Sequence, residues 1–221
     1  NNVTNSFTFS AWVKKASLSE TLAILGATYT QSGAFRVTFF GFDGSDDKVF
    51  YFQHNNDSGF NINIKSTALT RDTSNWYHVV LSHNRTNNTS TVYVNGSSTG
   101  YWTNTSTTSS SQALNSSYTH YIGCYVGNGG GGGYYGHFKG YMANLQFIDG
   151  QALDPYWFGE MRNNIWIPYN AFTTSNSNSV ESRSSNGGIA YDNYGNNGFH
   201  LLFNDTTNFG KDSSGRNNNW S

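Results

Sequence analysis

Phe7-Thr8-Phe9-Ser10-Ala11-Trp12-Val13-Lys14 decides the fold of this chain. Side chains alternate across an extended backbone, so Phe7, Phe9, Ala11 and Val13 share one face and Thr8, Ser10 and Lys14 the other. Trp12 breaks the alternation, and its ring lies either over the solvent side or under a second layer. Strand signals of this kind recur at residues 22–25, 35–42, 48–54, 61–64, 76–83, 91–94, 121–123, 138–148 and 198–203. Turn-forming stretches separate them, among them Asp43-Gly44-Ser45-Asp46-Asp47 and Asn95-Gly96. In the longest, Tyr141, Ala143, Leu145 and Phe147 share a face opposite Met142, Asn144 and Gln146. Residues 154–161 give the best short-helix signal, with Asp154 as N-cap and Pro155 at the first helical position. Many short strands and one short helix after the last core strand specify an all-β, two-sheet antiparallel β-sandwich.

The composition agrees. In 221 residues there are 6 Trp, 15 Tyr and 16 Phe, or 17% aromatic, while charged residues are 11% against about 25% in typical soluble domains. Rings in that number demand burial or stacking, which argues against disorder. A net charge of -1 leaves no basic footprint for nucleic acid. No apolar run approaches the length of a membrane helix, so membrane insertion is not expected. A single Cys forms no internal disulfide. Residues 103–117 read as a long exposed Ser/Thr/Asn loop, 127–133 as a glycine loop, and 173–188 as a low-complexity stretch.

Three stretches resemble the laminin-G-like branch of the concanavalin A-like lectin/glucanase superfamily. They are residues 7–14, then Trp76-Tyr77-His78-Val79-Val80 with Val92-Tyr93-Val94-Asn95-Gly96, and Phe138-Lys139-Gly140-Tyr141-Met142-Ala143-Asn144-Leu145. The resemblance implies a concanavalin A-like jelly roll over residues 1–160, followed by an extension over 161–221. The ending is more particular. Phe147-Ile148-Asp149-Gly150-Gln151-Ala152-Leu153-Asp154-Pro155 and Tyr194-Gly195-Asn196-Asn197-Gly198-Phe199-His200-Leu201 resemble a form of the domain found in virion proteins of marine bacteriophages. So does Asp212-Ser213-Ser214-Gly215-Arg216-Asn217-Asn218-Asn219-Trp220. In this family a strand normally precedes the one at residues 7–14, and the chain starts too late to contain it. Residues 198–203 are expected either to pair back onto the sandwich or to begin a following repeat of a longer chain.

The resemblance also frames the chemistry. Retaining glucanases of the superfamily carry two Glu at alternating positions of one strand, which sets the carboxylates about 5 Å apart. Here Glu20, Glu160 and Glu181 are far apart in sequence. Gly96-Ser97-Ser98-Thr99-Gly100 matches a serine-hydrolase elbow by letter, but it sits in a hairpin rather than a strand-to-helix turn. Laminin-G-like sandwiches often hold Ca²⁺, and Asp43, Asp46 and Asp47 are the candidate ligands, although Ala143 stands where relatives often place an acid. Sugar binding needs aromatic faces with neighbouring hydrogen-bonding groups, for which Tyr101, Trp102, Tyr134 and Tyr135 are the loop candidates. His120 and Cys124 read as a packed histidine and a buried thiol. The expectation is a non-enzymatic virion or extracellular module of a phage tail fibre or appendage. It would form a homo-oligomer and bind a host-surface glycan or other virion proteins. A purely structural virion module and a polysaccharide-active enzyme are the alternatives.

Overall fold

The computed structural model describes residues 6–31, 34–55, 61–103, 114, 116, 118–127, 133–168 and 194–221. Its strands are β1 (Phe7–Lys15), β2 (Leu22–Gln31), β3 (Ala34–Phe42), β4 (Lys48–Asn55), β5 (Asn61–Leu69), β6 (Tyr77–Asn84), β7 (Thr89–Val94), β8 (Ser97–Thr103), β9 (Thr119–Ile122), β10 (Tyr125–Val126), β11 (Tyr134–Tyr135), β12 (Gly140–Asp149), β13 (Gly159–Arg162), β14 (Ile165–Pro168) and β15 (Phe199–Leu201). A six-stranded sheet runs β15-β12-β1-β6-β7-β8, and a five-stranded sheet runs β5-β4-β3-β2-β9. Their strand pairs are antiparallel. The sheets face each other over a core that includes Phe7, Phe9, Val13, Phe40, Phe42 and Tyr51. Each such side chain contributes roughly 1.5–3 kcal/mol of transfer free energy.

The alternation read in residues 7–14 holds: Phe7, Phe9, Ala11 and Val13 are all fully buried in the core. Trp12 lies under a second layer, stacked on His78 with ring centroids 4.9 Å apart. That layer is the β13–β14 ribbon, which lays Trp166 beside His78. The indole rests where Cβ atoms on Gly96 and Gly159 would come within 2.5 and 2.6 Å of it. The turn Asn95-Gly96 has both φ angles positive (48° and 82°), as a two-residue hairpin turn requires. It joins β7 to β8, so the residues matching the hydrolase elbow form a hairpin.

Two expectations about this region need correction. The alternation in residues 138–148 breaks at Asn144, whose φ is 52°. The core-facing set passes from Met142 to Leu145, and Tyr141 becomes 64% exposed. The short helix is a single 3₁₀ turn, Pro155–Trp157, with the Asp154 carboxylate accepting from the Tyr156 amide as its cap. It stops there because Gly159 begins β13, which pairs with β14.

The sandwich differs along its two sides. On one, β5 and β8 lie against each other, and Gly100 packs on Ile64 and Lys65. On the other stand β9 and β15. β15 pairs with β12, and the segment after it lies along its free edge, with a Leu201–Asp212 bridge and Ser213 N–H donating to His200 O.

Candidate functional site

The outer face of the six-stranded sheet is covered by Leu153, Phe158 and Tyr194 on Val80 and Ile148. The outer face of the five-stranded sheet carries a cluster of its own, Ala23, Phe39 and Phe50 packed by Phe52 and Tyr125, and there the sequence places rings. β3 carries Phe39-Phe40 and β4 carries Phe50-Tyr51-Phe52. Neighbouring residues point to opposite faces. Phe40 and Tyr51 enter the core, so Phe39, Phe50 and Phe52 must lie outside.

Cross-strand register lines these rings up. Asn63, Phe52, Phe39 and Gly26 are successive partners across β5, β4, β3 and β2. Gly26 is where the short β10–β11 ribbon settles onto the sheet: a Cβ there would meet Cys124 O at 2.5 Å and Tyr125 Cβ at 2.8 Å. The missing side chain lets Tyr125 stack on Phe39 at 4.6 Å and 13°. The Thr28 hydroxyl donates to Val126 O at 3.0 Å and fixes the ribbon. A continuous row results. His54 stacks on Phe52 (6.4 Å), Phe52 meets Phe39 (5.9 Å), Phe39 meets Tyr125, and Tyr125 meets Tyr135 (6.0 Å). Tyr121 of β9 makes a separate edge contact with Tyr134 at 5.7 Å. Tyr134 and Tyr135 are 59% and 45% exposed, and Phe52, His54 and Tyr125 are half-buried. Exposed Asn63 and Lys65 border the row on β5. With Phe39 buried beneath Tyr125, the partly exposed rings of Phe52, His54, Tyr125 and Tyr135 beside the Asn63 amide form a surface that suits carbohydrate.

The four ring residues singled out in the sequence separate into two pairs. Tyr135 joins the row, and Tyr134 meets Tyr121 beside it. Tyr101 and Trp102 lie on the backbone of β8, at the edge of the other sheet, and their side chains fall outside the described residues. Phe52, His54, Asn63 and Tyr125 were not singled out, although Phe50-Tyr51-Phe52 carries the signal that finds them.

In the Asp43–Asp47 turn each carboxylate faces a basic group, while Asp46 Oδ1 is buried without a partner among the described residues. Asp43 Oδ2 meets Lys65 Nζ at 2.6 Å, and Asp46 Oδ2 meets Lys48 at 3.3 Å. Asp47 meets fully buried Lys15 at 3.2 Å and Arg71 at 3.7 Å. Asp47 also accepts from Ser19 N–H, and these partners hold its carboxyl below the usual range against the opposing effect of burial. Among the described residues no three His, Cys, Asp or Glu side chains converge on a common point.

Two of the Glu sit in separate surface ion pairs, Glu20 with Lys139 and Glu160 with Arg162, each at 2.5 Å. Glu181 lies outside the described residues. The nearest approach to a nucleophile and base is Ser10 Oγ against His78 Nε2 at 2.9 Å. The Trp166 indole N–H donates to His78 Nδ1 at 2.9 Å. An indole only donates, so Nδ1 is the acceptor and Nε2 carries the proton toward Ser10. In that tautomer His78 has no free lone pair with which to activate the hydroxyl. Both residues are buried, and burial pulls the His78 pKa down to about 3. His120 sets both ring nitrogens against backbone carbonyls, Tyr118 O at 2.7 Å and Leu114 O at 3.0 Å. Gly123, with φ at 80°, ends the strand before Cys124, which is therefore half-buried beside β9 rather than on its face.

A laminin-G-type family model, described as Concanavalin A-like lectin/glucanases superfamily, matches residues 1–155. The chain belongs to this superfamily. No curated protein sequence matches it. The superfamily fold is shared with the CBM40 of the Ruminococcus gnavus IT-sialidase bound to α2,3 sialyllactose, at 15% identity and a TM-score of 0.51 over 68% of this chain and 78% of that one. The chain is also similar to a heptameric SAP-like pentraxin from Limulus polyphemus (20% identity, TM-score 0.46, 68% and 66% covered). A third likeness is to domain 4 of AbnA, a GH43 extracellular arabinanase from Geobacillus stearothermophilus in complex with arabinotriose (19%, 0.48, 68% and 63%). The chain thus covers just under two thirds of the pentraxin and of the arabinanase domain. At these identities the likeness is one of fold.

Proposed function

We propose that this superfamily member is a non-catalytic glycan-binding module of a bacteriophage virion appendage, displayed in several copies against the host surface. One observation carries the glycan reading: the aromatic row from His54 to Tyr135 crosses the outer face of the five-stranded sheet, with Tyr135 exposed and Phe52, His54 and Tyr125 half-buried among the described residues. The proton on His78 Nε2 and the separate ion pairs of Glu20 and Glu160 support a binding rather than a hydrolytic role. The virion setting rests on the resemblance of residues 147–155, 194–201 and 212–220 to phage virion proteins. Repetition suits such a surface, because several weak sites on one particle gain avidity.

A glycan array probed with the purified domain, multimerised on beads, tests the reading. Binding to at least one glycan class is expected, with loss of roughly tenfold or more in affinity for Phe52→Ala and Tyr135→Ala, each removing one stacking face. Absence of binding, together with a protein–protein interface over this face, would instead mark a structural virion module.

A further inference from the structure

The β9/β15 side of the sandwich holds a cavity of about 300 Å³ between the two sheets. That volume is at the lower end for ligand pockets, roughly 300–1,000 Å³, and suits one ring rather than a chain. Phe147, Phe199 and Trp220 give it aromatic walls, with Trp220 edge-on to Phe199 at 5.0 Å. Asn197, Asn218 and Asn219 give it side-chain amides.

Each amide is held by one end only. Asn218 Nδ2 donates to Asn196 O (3.0 Å) and Gly198 O (2.8 Å). Asn197 Nδ2 donates to Asp149 Oδ2 at 3.0 Å, and Asn219 Oδ1 accepts from Asp212 N–H at 2.8 Å. Among the described residues the opposite ends, Asn197 Oδ1, Asn218 Oδ1 and Asn219 Nδ2, take no protein partner. Two fixed acceptors and one fixed donor beside aromatic walls match hydroxyls on a saturated ring, since each hydroxyl both donates and accepts. Anchoring in advance lowers the ordering cost of binding.

The described lining of the cavity carries no carboxylate, ammonium or guanidinium. The nearby carboxylates of Asp149 and Asp212 are spent on holding Asn197 and on the amides of His200, Ser214 and Asn218. His120, the one titratable lining residue, is kept below its usual pKa by burial. No described lining group compensates a ligand charge, and desolvating an unpaired charge is costly.

We infer that this cavity binds a single neutral pyranose-sized sugar ring, at a site separate from the aromatic row. The class of ligand rests on the glycan-binding reading above, whereas the site and its preference for neutral sugars do not depend on the row. Titrating isotope-labelled protein with glucose, galactose and N-acetylglucosamine, and separately with glucuronic and N-acetylneuraminic acids, tests it by NMR. At least one neutral sugar is expected to shift the Asn219 side-chain NH₂ and Trp220 indole resonances, and neither acid is. Asn219→Asp keeps the acceptor toward Asp212 N–H but removes the donor, and should weaken neutral-sugar binding about tenfold or more. Phe52→Ala and Tyr135→Ala should leave it unchanged. The inference is overturned if no neutral sugar shifts those resonances in the wild type, if the acids bind equally well, or if Asn219→Asp leaves affinity within about twofold. Array binding lost in the row variants without cavity shifts sinks the cavity alone; cavity shifts without array binding sink the row alone.

Discussion

Gly26 shows how much rests on a single absent side chain. Its φ is unremarkable, so space rather than backbone freedom demands glycine there: Cys124 O and Tyr125 Cβ occupy the room a methyl would need. Gly26→Ala should lift the β10–β11 ribbon, part Tyr125 from Phe39, and cost about 1–3 kcal/mol, the usual range for overpacking. Thermal melts measure the first effect. A loss of glycan affinity matching that of Tyr135→Ala would show that the ribbon is what presents Tyr135. The need for glycine was not legible in the sequence, because the residue it accommodates is 99 positions further along. The expected strand ended at residue 25, just before Gly26, whereas β2 continues to Gln31. By contrast, Phe50-Tyr51-Phe52 carries a local signal, although it was not singled out: three successive rings on a strand cannot all face one core.

Among elements, the segment after β15 depends on Asp212. Its Oδ1 accepts from the amides of His200 and Ser214, and its Oδ2 from the Ser214 hydroxyl and the Asn218 amide. These bonds hold the carboxyl below its usual range despite burial. Asp212→Asn replaces one accepting oxygen with a donor facing donors, and each amide left unsatisfied costs about 1–3 kcal/mol. Faster hydrogen exchange over residues 199–218 is expected, with β1 and β6 unchanged. Equal acceleration everywhere would mean that the segment unfolds only with the whole domain. The strand at β15 was visible as an apolar run, but its clamp was not: a carboxylate in Asp212-Ser213-Ser214-Gly215 reads equally as a turn or a metal ligand. The same ambiguity surrounds Asp43, Asp46 and Asp47, whose lysine partners from β1, β4 and β5 no local spacing announces.

At the scale of the molecule, three histidines tie stability to pH. Burial, largest of the causes, pulls His78 down to about 3 and His83 and His200 to about 4. In the unfolded chain they titrate near 6.5. Between those values the unfolded chain binds more protons, so stability rises with pH across that window. The contribution is fully present above about pH 6.5 and is lost as pH falls toward 4, on the order of 3 kcal/mol per group. The melting temperature should therefore be flat from pH 7 to 8 and drop steeply between pH 6 and 4; a melting temperature constant down to pH 4 contradicts this. The overall architecture was the most legible level, because alternation within each strand specifies which side is buried. Pairing was less so, since β1 finds its neighbour β12 across almost the whole domain.

That pairing has a kinetic consequence. Phe7 lies opposite Asp149 and Lys15 opposite Gly140. At roughly 5–20 residues per second of synthesis, β1 waits on the order of ten seconds before β12 has been made. Long-range antiparallel pairing then closes slowly, in milliseconds to seconds. During the wait the edge of β1 that β12 will cover has no partner, although Phe7, Phe9 and Val13 can already pack against β6 and the strands across the core. The nascent chain is thus most prone to aggregate through its first strand, and a chaperone acting on this protein would have its principal target there.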